Sequence, residues 1–432
     1  MNIHIIIIDI ILHCITYRDK ELLLNLIKAE LTSSCGYLTE LATMVNPKQY
    51  HTIQKLFSRV EIDYIAIQIA IIIAILQFFN INKISVSIDD SIVYRSRKKK
   101  IPHGHKQYDH AHKANRSSHV FGQKWLAFGL IITIHGVTIT LPLFIYLVKP
   151  EKNLISRTIV ILKKMKDIID ERELSLEVEL ITDSWFAKRR LIVRAKKQYG
   201  FSVITMARKD TVIHKLPPVR KKGTRGRKKI KGKQIKPELE DLKKEKTLNI
   251  YGREIKVRYK VAIAKAKFLK WEIIKAVWVR FDESQSMRLI ISTDITLSGE
   301  EIIKRYGTRW DIEAMFNELK NSFNFKKIMM HSIKSYYQFL YFKIWCFIII
   351  ELSSFDFKEI IINYVKESLP WRVHHKKGVT ITAGNTKLAL KSIFATLHIG
   401  MFFPKVNKKN RQNHENNVLW DVGVGGGYER TG

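Results

Sequence analysis

The spacing of apolar residues changes along the chain, and each change marks an element. Residues 1 to about 80 carry helical spacing: "YRDKELLLNLIKAEL" is amphipathic, and "IAIQIAIIIAILQFF" (65–79) is apolar on every side. That run falls short of the ~20 residues a membrane-spanning helix needs. It and the apolar start "MNIHIIIIDIILHC" therefore predict buried helices. At Lys83 the period drops to two. "KISVSIDDS" (83–91) alternates Ile84, Val86 and Ile88 with serines, which predicts a strand ending on Asp89 and Asp90. After a basic polar loop, "KWLAFGLIITIHG" and "VTITLPLFIYLV" predict a hairpin turning at His135-Gly136. "SRTIVILKKMKDIIDEREL" returns to helical spacing, "LEVELITDSW" (176–185) is a strand with Asp183 near its end, and "GFSVITMAR" is a further strand.

Strand, hairpin, helix, strand, strand is the element order of an RNase H-like core, an α/β class with a mixed sheet flanked by helices. In that order the first and fourth strands lie side by side, so Asp90 and Asp183 are expected to converge. Residues 81–209 would form the first part of this core, after a helical, candidate DNA-binding region at 1–80. Residues 210–290 differ in kind. "PPVRKKGTRGRKKIKGKQIKPELEDLKKEK" is dense in Lys, Arg and Gly, and the stretch after it alternates like a small sheet. The expectation is a basic β-rich insertion, followed by the rest of the core with C-terminal helices (291–405) and a disordered tail (406–432).

The second core segment opens with a helix. Ser298 stands three residues before Glu301, a capping box that starts the helix near Gly299. At 100° per residue, Tyr306, Arg309, Glu313 and Lys320 fit within a stripe about 60° wide. Ile312, Met315, Phe316 and Leu319 form a separate apolar stripe, while Asp311 and Glu318 point elsewhere. Glu313 is thus the one carboxylate on the Tyr/Arg/Lys edge.

Charge narrows the partner. With 75 Lys and Arg against 40 Asp and Glu, the net charge is +35, which favours a polyanion such as DNA. A basic membrane-surface protein is the weak rival, having no use for three spaced acids; no membrane partner is expected. Cys14, Cys35 and Cys346 lack any paired spacing, so no disulfide framework or zinc ribbon follows. The run "HGHKQYDHAH" (His103, His105, His110, His112) reads as a DNA-facing polar loop in preference to a zinc site.

Three acids with flanking cations suit phosphodiester chemistry. Two Mg²⁺ (or Mn²⁺) ions about 3.5–4 Å apart stabilise both oxygens of an in-line displacement. Mg²⁺ takes hard oxygen ligands. Asp90, Asp183 and Glu313 supply the metal carboxylates, Arg309 and Lys320 the phosphate clamps, and Tyr306 a hydrogen bond or a stacking surface. Lys188 and Arg189, just after Asp183, lie where phosphates are expected.

The pattern Tyr-x2-Arg-x3-Glu-x6-Lys resembles the signature of DDE transposases of bacterial insertion sequences, specifically the insertion-sequence-four group. "SIDDS" resembles the group's first-Asp motif and selects Asp90 over Asp89; "ITDSW" resembles the second and selects Asp183. The resemblance spans about residues 83–323. It implies cut-and-paste transposition: nicking of each element end, a hairpin intermediate, and strand transfer by the 3′-OH within a homodimeric synaptic complex on terminal inverted repeats. It also implies an insertion-domain tryptophan that takes up a flipped base; Trp271 and Trp278 are both candidates. A resolvase-like endonuclease without strand transfer and a DNA-binding remnant are the alternatives. The weak match before residue 80 is compatible with truncation at that edge.

Overall fold

The computed structural model describes residues 2–15, 17–33, 36–95, 101–109, 117–150, 153–208, 210–219, 226–250, 253–281, 286–370 and 381–396. The expected tail, His110, His112 and residues 220–225 of the Lys/Arg run lie outside these.

Among the described residues, twelve strands form one sheet. β1 (Lys83–Tyr94) runs antiparallel to β3 (His119–Ile134) and parallel to β5 (Glu177–Thr182), which pairs in parallel with β6 (Ser202–Ala207). The expected adjacency of the first and fourth core strands is therefore present. The short β2 (His105–Tyr108) and β4 (Val137–Leu147) both pair with β3. His135 and Gly136 turn the β3–β4 hairpin at φ of 48° and 78°, the two positive values a two-residue type I′ turn requires. One expectation is corrected: β1 does not end on its acids. It continues to Tyr94, because β3 keeps pairing with it after β5 has stopped.

The basic region at 210–290 adds to this same sheet. β7 (Ile213–Lys215), β8 (Gln234–Ile235), β9 (Lys244–Ile250), β10 (Arg253–Ala266) and β11 (Glu272–Phe281) reach the core through β12 (Arg288–Ser292), which pairs antiparallel with β6. Period-two alternation sorts the two faces. Ile181, Ile204, Val277, Val279 and Ile290 pack beneath α8 (Gly299–Gly307), whereas Leu180, Val203, Ala276, Trp278 and Ile291 join the larger core on the other face.

That larger core gathers the N-terminal helices α1 (Ile3–His13), α2 (Tyr17–Thr32), α3 (Leu38–Val45), α4 (Tyr50–Ser58) and α5 (Tyr64–Phe78). It also includes α6 (Leu154–Glu171) and α7 (Arg189–Gln198). α9 (Asp311–Asn321) lies over β1, β3 and β4. At its centre α10 (Ile333–Asp356) is long and apolar enough to cross a bilayer, yet it is buried among α1, α2, α4, α5 and α12 (Ala383–Thr396). α11 (Lys358–Ser368) packs on α12.

Two features hold α9 in place. At Gly129, beside a bulge in β3, a Cβ would meet Ser87 Oγ and Thr140 Cγ2 at 2.9 Å and Ile312 Cγ1 at 3.3 Å. A side chain here would have to displace Ser87 and Thr140 and press on Ile312 of α9, so glycine suits this close packing of helix on sheet. At the far end, Lys343 Nζ donates to the Phe323 carbonyl (3.1 Å) and Lys387 Nζ to that of Ser322 (3.3 Å). Cations suit the negative end of a helix. Their charge is met by Glu30 on α2, whose carboxylate accepts from Lys343 at 2.9 Å and lies 3.5 Å from Lys387, all three being buried. Burial lowers the Lys343 ammonium below its ordinary range, against the pull of Glu30.

Behind α9 lies a cavity of about 560 Å³ lined by residues of α9, α10 and β4, among them Asp311, Glu318 and Glu351. Burial, helped by Glu318 and opposed by the Ala383 N–H, pushes Glu351 up to about 8. A carboxyl raised in the folded state contributes stability below its unfolded value, and that stability is lost as pH rises through about 8. Urea denaturation should therefore show Glu351→Gln gaining on the parent protein between pH 5 and 8. Glu30→Gln should cost roughly 3–5 kcal/mol in the same assay, because it leaves two buried cations without their anion.

Candidate active site

The site is built where β1 and β5 part. Their last parallel pair is Ile88 with Thr182, so the next residues on the two strands are Asp89 and Asp183. Alternation along β1 sends Ile84, Val86 and Ile88 into the core beside α5 and α6, and Ser85, Ser87, Asp89 and Ser91 toward α8 and α9. Ser85 reaches Glu179, which pairs with Arg305 of α8 at 3.0 Å.

Ser298 caps α8 with the reciprocal Glu301 box the sequence predicts. The expected single helix is interrupted, however. Thr308–Trp310 tighten into a 3-10 turn before α9 begins at Asp311. The backbone stays right-handed throughout, so the stripe survives the break. Ile312, Met315, Phe316 and Leu319 are buried as expected.

Arg309 is the centre of the other edge. It is 8% exposed, and its guanidinium lies 3.0 Å from Glu313 Oε1 and 3.5 Å from Asp89 Oδ2. Among the described residues its Nε has no hydrogen-bond partner. The Tyr306 ring is buried under β11 and β12, and burial raises its hydroxyl above the usual range while Arg309 pulls it down. Lys320 donates to Ser91 Oγ, two residues past Asp89. Burial lowers the Lys320 ammonium to about 8, with Lys326 adding to the fall and Asp109 and Asp89 opposing it. Asp311 and Glu318 face the cavity on the opposite side of α9.

Asp89 is pushed up to about 7, first by burial and then by the charges of Asp183 and Asp90. The Asp90 N–H and Arg309 act in the other direction. Asp183 Oδ1 accepts from the Trp185 and Phe186 N–H groups at 2.9 and 3.1 Å, which fixes the turn after β5.

Not every residue named from the sequence is brought here. Asp90, selected over Asp89 by its motif, points to the opposite face of β1 and pairs with Lys124 of β3 at 2.9 Å. Trp278 is 4% exposed and packed in the larger core, whereas its neighbours Val277 and Val279 pack with Tyr306. It therefore has no face to offer a base beside Tyr306. Trp271 sits at the β10–β11 turn, its ring against His214 and 4.6 Å from Lys231 Nζ. Lys188 precedes α7 and Arg189 opens it, exposed, so both lie within six residues of Asp183. Two exposed aromatics were not anticipated: Trp310, whose ring lies 5.1 Å from the Arg309 guanidinium, and Trp185.

The arrangement offers two carboxylates at adjacent strands, a third one helical turn from a buried guanidinium, and an ammonium further along the same edge. Among the described residues no three His, Cys, Asp or Glu side chains are gathered closely enough to hold a metal ion as they stand. Removing the Arg309 charge should raise Asp89 further; a carboxyl-¹³C titration of Arg309→Gln is expected to show its midpoint above the parent's.

Residues 159–349 match the family model of the transposase DDE domain. The match covers under half of the chain; it includes Asp183, Tyr306, Arg309, Glu313 and Lys320 and leaves β1 outside. It supports a DDE transposase, an enzyme acting on DNA. No curated protein matches the chain.

Proposed function

We propose that this protein is a divalent-metal-dependent DNA transposase with an RNase H-like core. It would belong with the insertion-sequence-four group and act as a homodimer on the inverted repeats of its element. The observation that carries the reading is the convergence on Arg309. Asp89 and Glu313 touch the same guanidinium from chain segments 224 residues apart, and Asp183 follows in register from a third segment.

The donor set fits a hard divalent cation in kind. Its members are oxygen ligands, and burial, with the charges of Asp183 and Asp90, raises Asp89, so a cation bound there would favour its ionised form. Asp183, Glu313 and a β1 acid would hold Mg²⁺ or Mn²⁺, with two ions the expected number. Bound there, the metal supplies Lewis-acid polarisation and an acidified water.

The chain's own groups do the rest. Arg309 presents a planar donor fork to the phosphate at the scissile bond and meets the charge that builds on its oxygens. Lys320 holds the adjacent phosphate from the Ser91 end of the edge, and the Tyr306 hydroxyl fixes the guanidinium plane. In the first step water attacks phosphorus, the bond to O3′ breaks, and the leaving oxygen takes up a proton. The freed 3′-OH then loses its proton and attacks phosphorus of the opposite strand; the bond to the 3′-oxygen of the flanking DNA breaks, that oxygen takes up a proton, and the element end is left as a hairpin. Water reopens it, and the same hydroxyl finally attacks target DNA, displacing a target 3′-OH.

The test is cleavage of a duplex carrying the DNA that flanks the reading frame. Nicking should require Mg²⁺ or Mn²⁺ and fall by at least about 10²-fold in Asp183→Asn and Glu313→Gln, the scale of losing one group that meets transition-state charge. Salt-sensitive DNA binding should persist in both. Asp89→Asn and Asp90→Asn, tested side by side, assign the β1 ligand to whichever substitution abolishes nicking. Unimpaired cleavage by Asp183→Asn refutes the site, and cleavage without joined product points to an endonuclease or resolvase.

A further inference from the structure

The cavity behind α9 has no part in the proposed chemistry, since Arg309, Glu313 and Lys320 occupy the other edge of the helix. At about 560 Å³ it has the size of a small-molecule site. Phe79, Phe347, Phe355 and Met315 give it apolar walls. Among the described residues four carboxylates line it: Asp311, Glu318, Glu351 and Asp356. In a chain of net charge +35 this is a local reversal of sign.

Two of the four are engaged. Asp356 pairs with His4 at 2.8 Å, and Glu318 accepts from the Ser322 hydroxyl and from the Gly384 N–H at 3.1 Å. No cation of the described residues acts on Asp311 or Glu351. The two bases in the lining, His135 and Lys358, are both exposed. A third polar group in the wall is unmet. Thr140 is 9% exposed, and among the described residues its Oγ1 has no hydrogen-bond partner. A metal ion does not fit, because no three acids of the described residues gather closely enough to ligate one. Acceptors spread over two helices and a strand, between aromatic walls, suit a cation that only donates and carries an apolar stem.

We propose that this cavity binds a small aliphatic diamine, its ammonium groups held by Asp311, Glu351 and the Thr140 hydroxyl and its methylenes along the phenylalanine walls. The site is independent of the transposase reading. Burial raises Glu351 to about 8, so a cation arriving at neutral pH should drive its proton off to the buffer.

The experiment is calorimetric titration of the full chain, free of nucleic acid, at pH 7.5 with 1,6-diaminohexane, n-hexylamine and hexane-1,6-diol. The diamine should bind one to one with Kd below about 1 mM, the monoamine at least about tenfold more weakly and the diol not at all. Glu351→Gln and Asp311→Asn should each weaken the diamine by roughly 10- to 100-fold, the scale of a hydrogen bond to a charged group. Thr140→Val should cost roughly 2- to 10-fold. Each of the two acid substitutions removes a carboxyl that burial disfavours, so the variants are expected to fold. Repeating the titration in two buffers of different ionisation heat should show protons released on binding, and Glu351→Gln should abolish that release. A merely structural Glu351 would leave it unchanged. The absence of saturable diamine binding overturns the proposal. So does a diol that binds as tightly as the diamine, which would mark an apolar pocket only, or an affinity unchanged in Glu351→Gln or Asp311→Asn.

Discussion

Carboxylates converging at the end of a sheet repel one another, and the structure turns on how that repulsion is met. Arg309 meets it. A guanidinium held in a largely buried position against both Asp89 and Glu313 supplies positive charge where water supplies little, and it does so with a fixed plane. The elements around it serve mainly to keep that plane still. Gly129 lets α9 come down onto β3, and the α8 cap sets where the helix pair starts. Paired lysines tie down the carbonyls just past the end of α9. A cation of this kind is suited to phosphate, whose geometry a planar fork matches.

The amino-acid pattern carried much of this and pointed one choice in two directions. The helix edge and its apolar counter-stripe were legible because a 3.6-residue period survives a short 3-10 turn. Adjacency of β1 and β5 was legible from element order. Between the two acids on β1, motif resemblance favoured Asp90, while the plain alternation of Ile84, Val86 and Ile88 had already placed Asp90 on the apolar side and Asp89 with the serines. The same parity rule, applied to Ala276 and Trp278, puts that tryptophan in the core. What no local pattern could reveal was that β12 would pair with β6 and draw the basic strands into the main sheet. That register depends on contacts between residues more than 80 positions apart. Trp185 carried no periodic signal because it sits in a turn.

The N-terminal helices also have a role that spacing did not disclose. Their apolar stretches, which read as buried helices, wrap α10 together with α12, so the first and last described helices share one core. Whatever these helices bind, they are first of all part of the scaffold under α9.

That sharing sets an order in time. Glu30 leaves the ribosome early, whereas its partners Lys343 and Lys387 are synthesised more than 300 residues later. Until then the acid on α2 has no cation to meet, and the apolar faces of α1 to α5 have no α10 to cover them. The start of the chain must therefore wait, in contact with water or a chaperone, for almost the whole protein to be made. The contacts that hold α9 are complete only when synthesis has passed residue 387, so the finished chain, and not any early fragment, is the first species to carry the candidate site in its final form.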